Sequence, residues 1–315
     1  MLLTRELLMV YTLPEWLALP CAEMAIIVRR SSLTMKIAVD GSTRHYLLNN
    51  SLESGADLDT EAYFQHGLLS LLRLIEKVFS CGIESLVLLS VWPPDLIRRD
   101  DHMQRVVEAS VRLLLSENAL RTFTTLGLQV GLYGNYDVAA AFDGVRPALI
   151  ELRERLALAT GQQTCKLWWG YSAGSGLEEV IARSVQFYQE TGRLPTEEEL
   201  RQACFPLGPA SVDIFIGTGW LRIGNIDLPP VLNQGQTDVY SLCHLPLDLT
   251  ENELRRILYD HLFVRHVLAP TTNIVYTPAM LDPLRDYYTE HSECVIGLGH
   301  LVANGFWYPD HLHTG

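Results

Sequence analysis

The chain lacks any run of basic residues. Its 24 Lys and Arg stand against 37 Asp and Glu, a net charge of −13 at pH 7. Neutralising a nucleic-acid backbone takes a basic face, so a sequence-general nucleic-acid binder is excluded. No CxxC pair occurs among the six cysteines (Cys21, Cys81, Cys165, Cys204, Cys243, Cys294). Scattered through apolar stretches, they read as reduced core residues of a cytoplasmic protein, not as zinc ligands. The ten histidines form no HExxH, and His261 and His266 read as packing or surface residues. No Gly-Lys-Ser/Thr occurs, and Gly174-x-Gly176 fits neither nucleotide-binding glycine pattern, which leaves nucleotide binding without support. The apolar N-terminus is interrupted by Arg5, Glu6, Pro14, Glu15, Pro20 and Glu23. It is too broken for a membrane span and too acid-flanked for a signal peptide, so no integral membrane segment is expected.

What the chain does have is apolar residues, 48% of 315, enough for a full core. Short apolar runs alternate with helical periodicity. Strands are expected at Met35–Val39, Ser85–Trp92, Leu126–Tyr133, Thr164–Tyr171, Val212–Ile216 and Thr237–Leu242. Helices are expected at Glu15–Arg30, Thr60–Phe79, His102–Leu115, Val145–Leu158, Leu177–Thr191, from Pro195, at Glu251–Val267 and near Pro278–Tyr288. This order predicts an α/β fold in which a central, mostly parallel sheet is flanked by helices. Residues 1–30 read as an N-terminal extension with a short helix and 31–315 as one catalytic domain with a helical C-terminal extension. The stretch 49–59 reads as a flap and the tail as otherwise irregular.

Ligands of parallel sheets sit beyond the carboxyl ends of the strands. The first strand ends in Asp40-Gly41-Ser42-Thr43-Arg44-His45-Tyr46. There Asp40 can hold a hard cation, Gly41 admits an anion close to the backbone, and Arg44 offers a forked donor. A strand–Asp–Gly turn is also a common structural device. Further strand ends carry glycine with polar residues at Tyr171 and Gly217, and Trp92 is followed by Pro-Pro and the Asp95–Asp101 cluster containing Arg98 and Arg99. That cluster reads equally as a solvated helix start.

Taken together, VDGSTRHY, GIESLVLLSVW, WWGYSAGSGLEE, DIFIGTGWLRIGN and TDVYSL resemble the cis-prenyltransferase (undecaprenyl diphosphate synthase) family. The later Leu254–Leu262 block (LRRILYDHL), the Phe-Ile-Gly-x-Gly turn and the closing Gly-Phe-Trp resemble its non-elongating branch, the diterpene synthases of the tuberculosinol and kolavelool type. The resemblance implies a cytoplasmic, Mg²⁺-dependent, homodimeric enzyme. It would ionise a bicyclic C20 allylic diphosphate and quench the cation with water to a tertiary allylic alcohol.

Residue by residue, the resemblance gives Asp40 the essential carboxylate and Tyr63 the guidance of water or cation. Gly41, Ser42, Thr43, Arg44, Arg222 and Asn225 would take the diphosphate, helped by Arg98 or Arg99. Asp238 would join Asp40 at the metal, and Trp92, Trp168 and Trp220 would line a cation pocket. Gly217 stands where elongating relatives carry an arginine, which speaks against an isopentenyl diphosphate site. Elongation by a true cis-prenyltransferase and a catalytically silent subunit of the same fold stay as alternatives.

Overall fold

The computed structural model describes residues 11–39, 41–50, 60–91, 108–133, 145–171, 177–205, 208, 211–219, 230–232, 237–265, 277–292, 296–302 and 306–309. Asp40, Trp92, Arg98, Arg99, Trp220, Arg222, Asn225, His266 and the expected flap at 51–59 lie outside the described residues.

Six parallel strands form the central sheet: β1 (Thr34–Ile37), β2 (Ser85–Val91), β3 (Leu128–Tyr133), β4 (Cys165–Tyr171), β5 (Ile214–Thr218) and β6 (Asp238–Leu242). Their spatial order is β3-β4-β2-β1-β5-β6, and every neighbouring pair is parallel. The chain steps from β1 to β2 on one side and later adds β5 on the other. β1 is therefore the strand at which the winding reverses, and parallel sheets bind their ligands beyond the carboxyl end of such a strand. The expected fold class is the observed one.

Alternation along the strands splits the core into two layers. Met35, Ile37, Leu86, Leu88, Leu167 and Trp169 share one face with Leu72, Ile75, Val78 and Phe79 of α4 (Thr60–Ser80). Val87, Tyr133, Trp168, Phe205 and Val212 form a smaller layer on the other face. α7 (Leu177–Thr191) and α8 (Glu197–Cys204) reach that layer through Val180, Leu200 and Cys204. Lys36, with 0% exposure, lies in the same strand row as Val87 and Trp168. The remaining layer helices are α5 (Glu117–Thr125) and α6 (Val145–Thr160).

The single helix expected at Glu15–Arg30 is two, α1 (Leu13–Ala18) and α2 (Cys21–Arg29), because Pro20 takes the cap position between them. Thr12 and Glu15 close a reciprocal capping box on α1. Trp16, fully buried, donates its indole N–H to the Arg255 carbonyl at 2.8 Å. Arg255 in turn donates to the Leu19 carbonyl at 2.7 Å. The N-terminal segment is thus tied to α9 (Glu251–Tyr259).

The helix expected to run to Val267 changes at Asp260 into a π-turn, Asp260–Val264. The wider turn brings His261 against Asp238 at 2.7 Å and lets Arg265 reach both Asp260 (2.6 Å) and Asp238 (3.4 Å). Tyr240 donates to Asp260 at 2.7 Å. α3 (Ser42–Asn50) occupies a stretch read as loop and flap. In the tail, α10 (Pro278–Glu290) is followed by an antiparallel hairpin, β7 (Gly299–Val302) with β8 (Phe306–Pro309), where no strands were expected.

Two substitutions probe this scaffold. Gly82 has φ of +93°, and a Cβ there would stand 2.5 Å from the Ala25 carbonyl oxygen. Gly82→Ala should therefore lose about 2–3 kcal/mol of stability, read from urea unfolding. A loss below ~0.5 kcal/mol, the scale of a neutral surface change, would mean that α2 moves aside freely. Asp238→Asn removes the charge from two hydrogen bonds and should cost about 1.5–3 kcal/mol. An unchanged unfolding midpoint would show that the His261–Arg265 cluster contributes nothing.

Candidate active site

The carboxyl end of β1 is pinned to β5 where the Ala38 amide donates to Ile216 at 2.9 Å. The chain then turns at Gly41, with φ of +75°. A Cβ at this position would lie 2.7 Å from Leu245 and 2.9 Å from the Arg44 guanidinium. Only glycine fits, on both conformational and steric grounds. α3 starts at once, and its first turn closes with the His45 amide on the Gly41 carbonyl at 2.8 Å. A helix N-terminus and a guanidinium therefore meet at one glycine, a combination suited to an anion.

Tyr63 of α4 reaches this loop. Its hydroxyl lies 2.8 Å from the Ser42 hydroxyl and accepts from Thr43 at 3.5 Å. Tyr46 meets the Tyr63 ring edge to face at 5.7 Å. Gly41, Ser42, Thr43, Arg44 and Tyr63, singled out from the sequence, are thus brought together.

Sequence reasoning missed the groups directly behind the loop. His45, buried to 5% exposure, lies 3.0 Å through Nε2 from Asp248, which closes a short 3₁₀ turn (Pro246–Asp248). Its Nδ1 lies 3.1 Å from Nε2 of His66 on α4. His66 is held below the ordinary histidine range, first by burial and then by His45 and Arg73, against an opposing pull from Asp248. At the end of β6, His244 faces Glu253 through Nε2 (2.7 Å) and the Leu245 carbonyl through Nδ1 (3.0 Å). Burial acts to lower its pKa, but these two acceptors, with the charges of Glu253 and Asp248, outweigh it and leave His244 raised. No spacing in the sequence signals these pairs, since His45 and Asp248 are 203 positions apart.

Two expected partners stand elsewhere. Asp238 opens β6 level with Ile214, which is level with Met35. That is the amino edge of the sheet, on the order of 10 Å along the strand from the Ala38 end. In the structure the Asp238 carboxylate serves His261 and Arg265. Trp168 lies on the smaller face of the sheet, its ring over Gly131 and 6.2 Å from Phe205. Strand alternation puts Trp169, not Trp168, on the face that α4 covers.

Among the described residues no group of three or more His, Cys, Asp or Glu is placed to hold a metal ion, and no helix is long and apolar enough to cross a membrane. No disulfide joins the five described cysteines, and burial pushes the Cys81 thiol up to about 12. The sequence Gly170-Tyr171-Ser172-Ala173-Gly174, which begins in β4, satisfies a Gly-x-Ser-x-Gly spacing. Ser172 lies outside the described residues, and no role is assigned to it.

No family model matches the chain. Tuberculosinyl adenosine transferase of Mycobacterium tuberculosis is 28% identical over 299 residues, covering 94% of this chain and 97% of its own. (+)-Kolavelool synthase of Herpetosiphon aurantiacus is 26% identical over 305 residues, 95% of each. Among solved structures, lavandulyl diphosphate synthase from Lavandula x intermedia, in complex with dimethylallyl diphosphate, superposes with a TM-score of 0.52 at 16% identity. The match covers 72% of this chain and 94% of that one. The chain is thus similar over nearly its whole length to a tuberculosinyl transferase and a kolavelool synthase, and its single α/β domain has the cis-prenyltransferase-like fold.

Proposed function

We propose that this chain is a diterpene synthase. It ionises a bicyclic C20 allylic diphosphate of the clerodane or halimadane/labdane type. Water then captures the cation to give a tertiary allylic diterpene alcohol and diphosphate. The observation that carries this reading is the full-length similarity to proteins named for tuberculosinyl transfer and kolavelool synthesis. The clustering of Gly41, Arg44 and Tyr63 at the strand where the sheet winding reverses supports it.

In this reading the diphosphate lies on the Gly41–Arg44 turn. Gly41 leaves room for an oxygen beside the backbone, and Arg44 and the start of α3 offset the charge that grows as the C–O bond breaks. Arg222, Asn225 and Arg98 or Arg99 belong to the same proposal as further diphosphate partners. Mg²⁺ would be held by Asp40 and the diphosphate oxygens, and when bound it supplies further charge neutralisation. Tyr63, with Trp92 and Trp220, offers aromatic faces to the cation. A cytoplasmic homodimer is part of the reading. The exposed Met280, Leu284 and Tyr288 of α10 supply apolar surface for such contact.

A second acceptor has its own support, because one relative is named as an adenosine transferase. There the same cation would be captured by adenosine in place of water.

One assay tests the reading. With Mg²⁺ and bicyclic C20 diphosphates in ¹⁸O-water, the product alcohol should carry the label, because the bond to diphosphate breaks before water attacks. Unlabelled oxygen would point to hydrolysis at phosphorus. Adenosine in the same assay should leave the alcohol as the product, and a prenylated nucleoside would replace water as acceptor. A longer chain from farnesyl and isopentenyl diphosphates would establish elongation instead.

Two variants locate the diphosphate. Asp40→Asn should abolish turnover, and Arg44→Ala should cost about 1.5–3 kcal/mol in kcat/KM. The exposed Arg256 of α9 is the control. An equal loss in Arg256→Ala would place the diphosphate elsewhere.

A further inference from the structure

Behind the Gly41 turn three side chains from three elements form one hydrogen-bonded line: Asp248, His45, His66. The ionised carboxylate of Asp248 can only accept, so Nε2 of His45 carries its hydrogen. In the neutral ring Nδ1 of His45 is then an acceptor, and it can only be satisfied by the N–H at Nε2 of His66. That in turn leaves Nδ1 of His66 as the lone pair. The line has one direction, from carboxylate to base.

We propose that Asp248 and His45 are positioning residues that hold His66 in the Nδ1-basic tautomer, and that His66 takes the proton released when water captures the cation. The inference rests on the reading given under Proposed function. The step balances as follows. Diphosphate leaves with the electron pair of its C–O bond, and a lone pair of water forms the new C–O bond to the cationic carbon. One water proton passes to Nδ1 of His66. The resulting imidazolium is held by its Nε2 hydrogen bond to His45, whose other nitrogen faces Asp248, and it returns the proton to solvent after product leaves.

The surroundings favour this role. Among the described residues, the groups acting on His66 are His45 and Tyr46 of α3, Asp248 of the 3₁₀ turn and Arg73 of its own helix, on which Tyr63 lies one turn before it. Burial first, and then the Arg73 charge, hold the ring below the ordinary histidine range and so able to accept at pH 7, while Asp248 pulls toward the protonated form. Tyr46 stands edge-on to His66 at 5.4 Å and to Tyr63 at 5.7 Å. One aromatic ring therefore links the base to the tyrosine whose hydroxyl touches the diphosphate turn. His45 follows that turn directly in sequence, so closing the turn and seating the positioning residue are a single structural event.

The test has two readouts. The first is independent of catalysis: in protein labelled with ¹⁵N-histidine, both His45 and His66 should be Nε2-protonated, and His66 should lose that preference in His45→Gln. Glutamine keeps a donor toward Asp248 but removes the acceptor facing His66. An Nδ1-protonated His66 in the wild type would overturn the line. The second is the pH dependence of turnover on the bicyclic diphosphate. His66→Gln should lower kcat about 10²-fold, the scale of general-base catalysis, with KM little changed. Asp248→Asn should move the acidic limb of kcat/KM to lower pH, because removing the charge makes His66 less basic. An unmoved limb in Asp248→Asn, or a His66→Gln enzyme of full kcat, would overturn the proposal. Failure of the wild type to release diphosphate from any C20 substrate would sink the reading on which the proposal rests, and with it the role of His66. The ¹⁵N spectrum would still decide whether the hydrogen-bonded line exists.

Discussion

One glycine sets the geometry of this sheet edge. At Gly41 the backbone takes a left-handed turn in the space left between Leu245 and the Arg44 guanidinium. A side chain there would have to displace both. Because the turn completes within one residue, α3 begins immediately, and Ser42, Thr43 and Arg44 all fall in its first turn. Helix periodicity then directs Ser42 to Tyr63 and, three residues on, His45 to Asp248 and His66. The Gly41 turn and the histidine line are built on one short helix. Neither could be shifted without the other.

The scaffold behind that turn is held from both edges of the sheet. At the carboxyl edge, Leu245 and Asp248 come from the segment after β6, and Thr218 donates to the His244 carbonyl at 3.2 Å, closing β5 onto the same segment. At the amino edge, Asp238 and Asp260 share Arg265, whose guanidinium lies 4.5 Å from the Tyr240 ring. Both clusters belong to the β6–α9 unit. Ion pairs buried on one side only hold well when several bonds share each charge, and here Asp238 serves two partners and Arg265 three.

Most of the fold was legible because it rests on periodicity. The helical spacing of Leu68, Leu72, Ile75 and Phe79 located α4 to within a residue at its end. The apolar runs located every strand of the sheet. The turn at Gly41 was legible from Asp-Gly and a following arginine. Register was not. Whether Asp238 stands at the amino or the carboxyl end of β6 depends on pairing with Ile214, a contact no local pattern encodes. Trp168 and Trp169 are adjacent, and only the packing of α4 against one face says which of them turns toward it. His45 sits among polar residues, and its importance comes from partners 21 and 203 positions away. The hairpin β7–β8 was missed because its strands are four residues each, too short for an alternation to register.

The two histidine environments at the carboxyl edge show how one sheet end can run opposite charge states. His244 has an acceptor at each ring nitrogen, Glu253 and the Leu245 carbonyl, so the doubly protonated ring is the form that satisfies both. His66 is partly buried and has an arginine on its own helix, so the neutral form is favoured. Their pKa values are pushed apart, one up and one down. In the proposed reaction, which first releases an anion and then a proton, such a separation would suit the two roles. His244, with its raised pKa, precedes the Leu245 that packs on Gly41, and His66, with its lowered pKa, lies behind the turn. Had both histidines faced carboxylates, both pKa values would be drawn up together, and had both faced cations, both would be drawn down. The asymmetry of partners, and not the presence of histidine as such, is what makes the two roles compatible within one edge of one sheet.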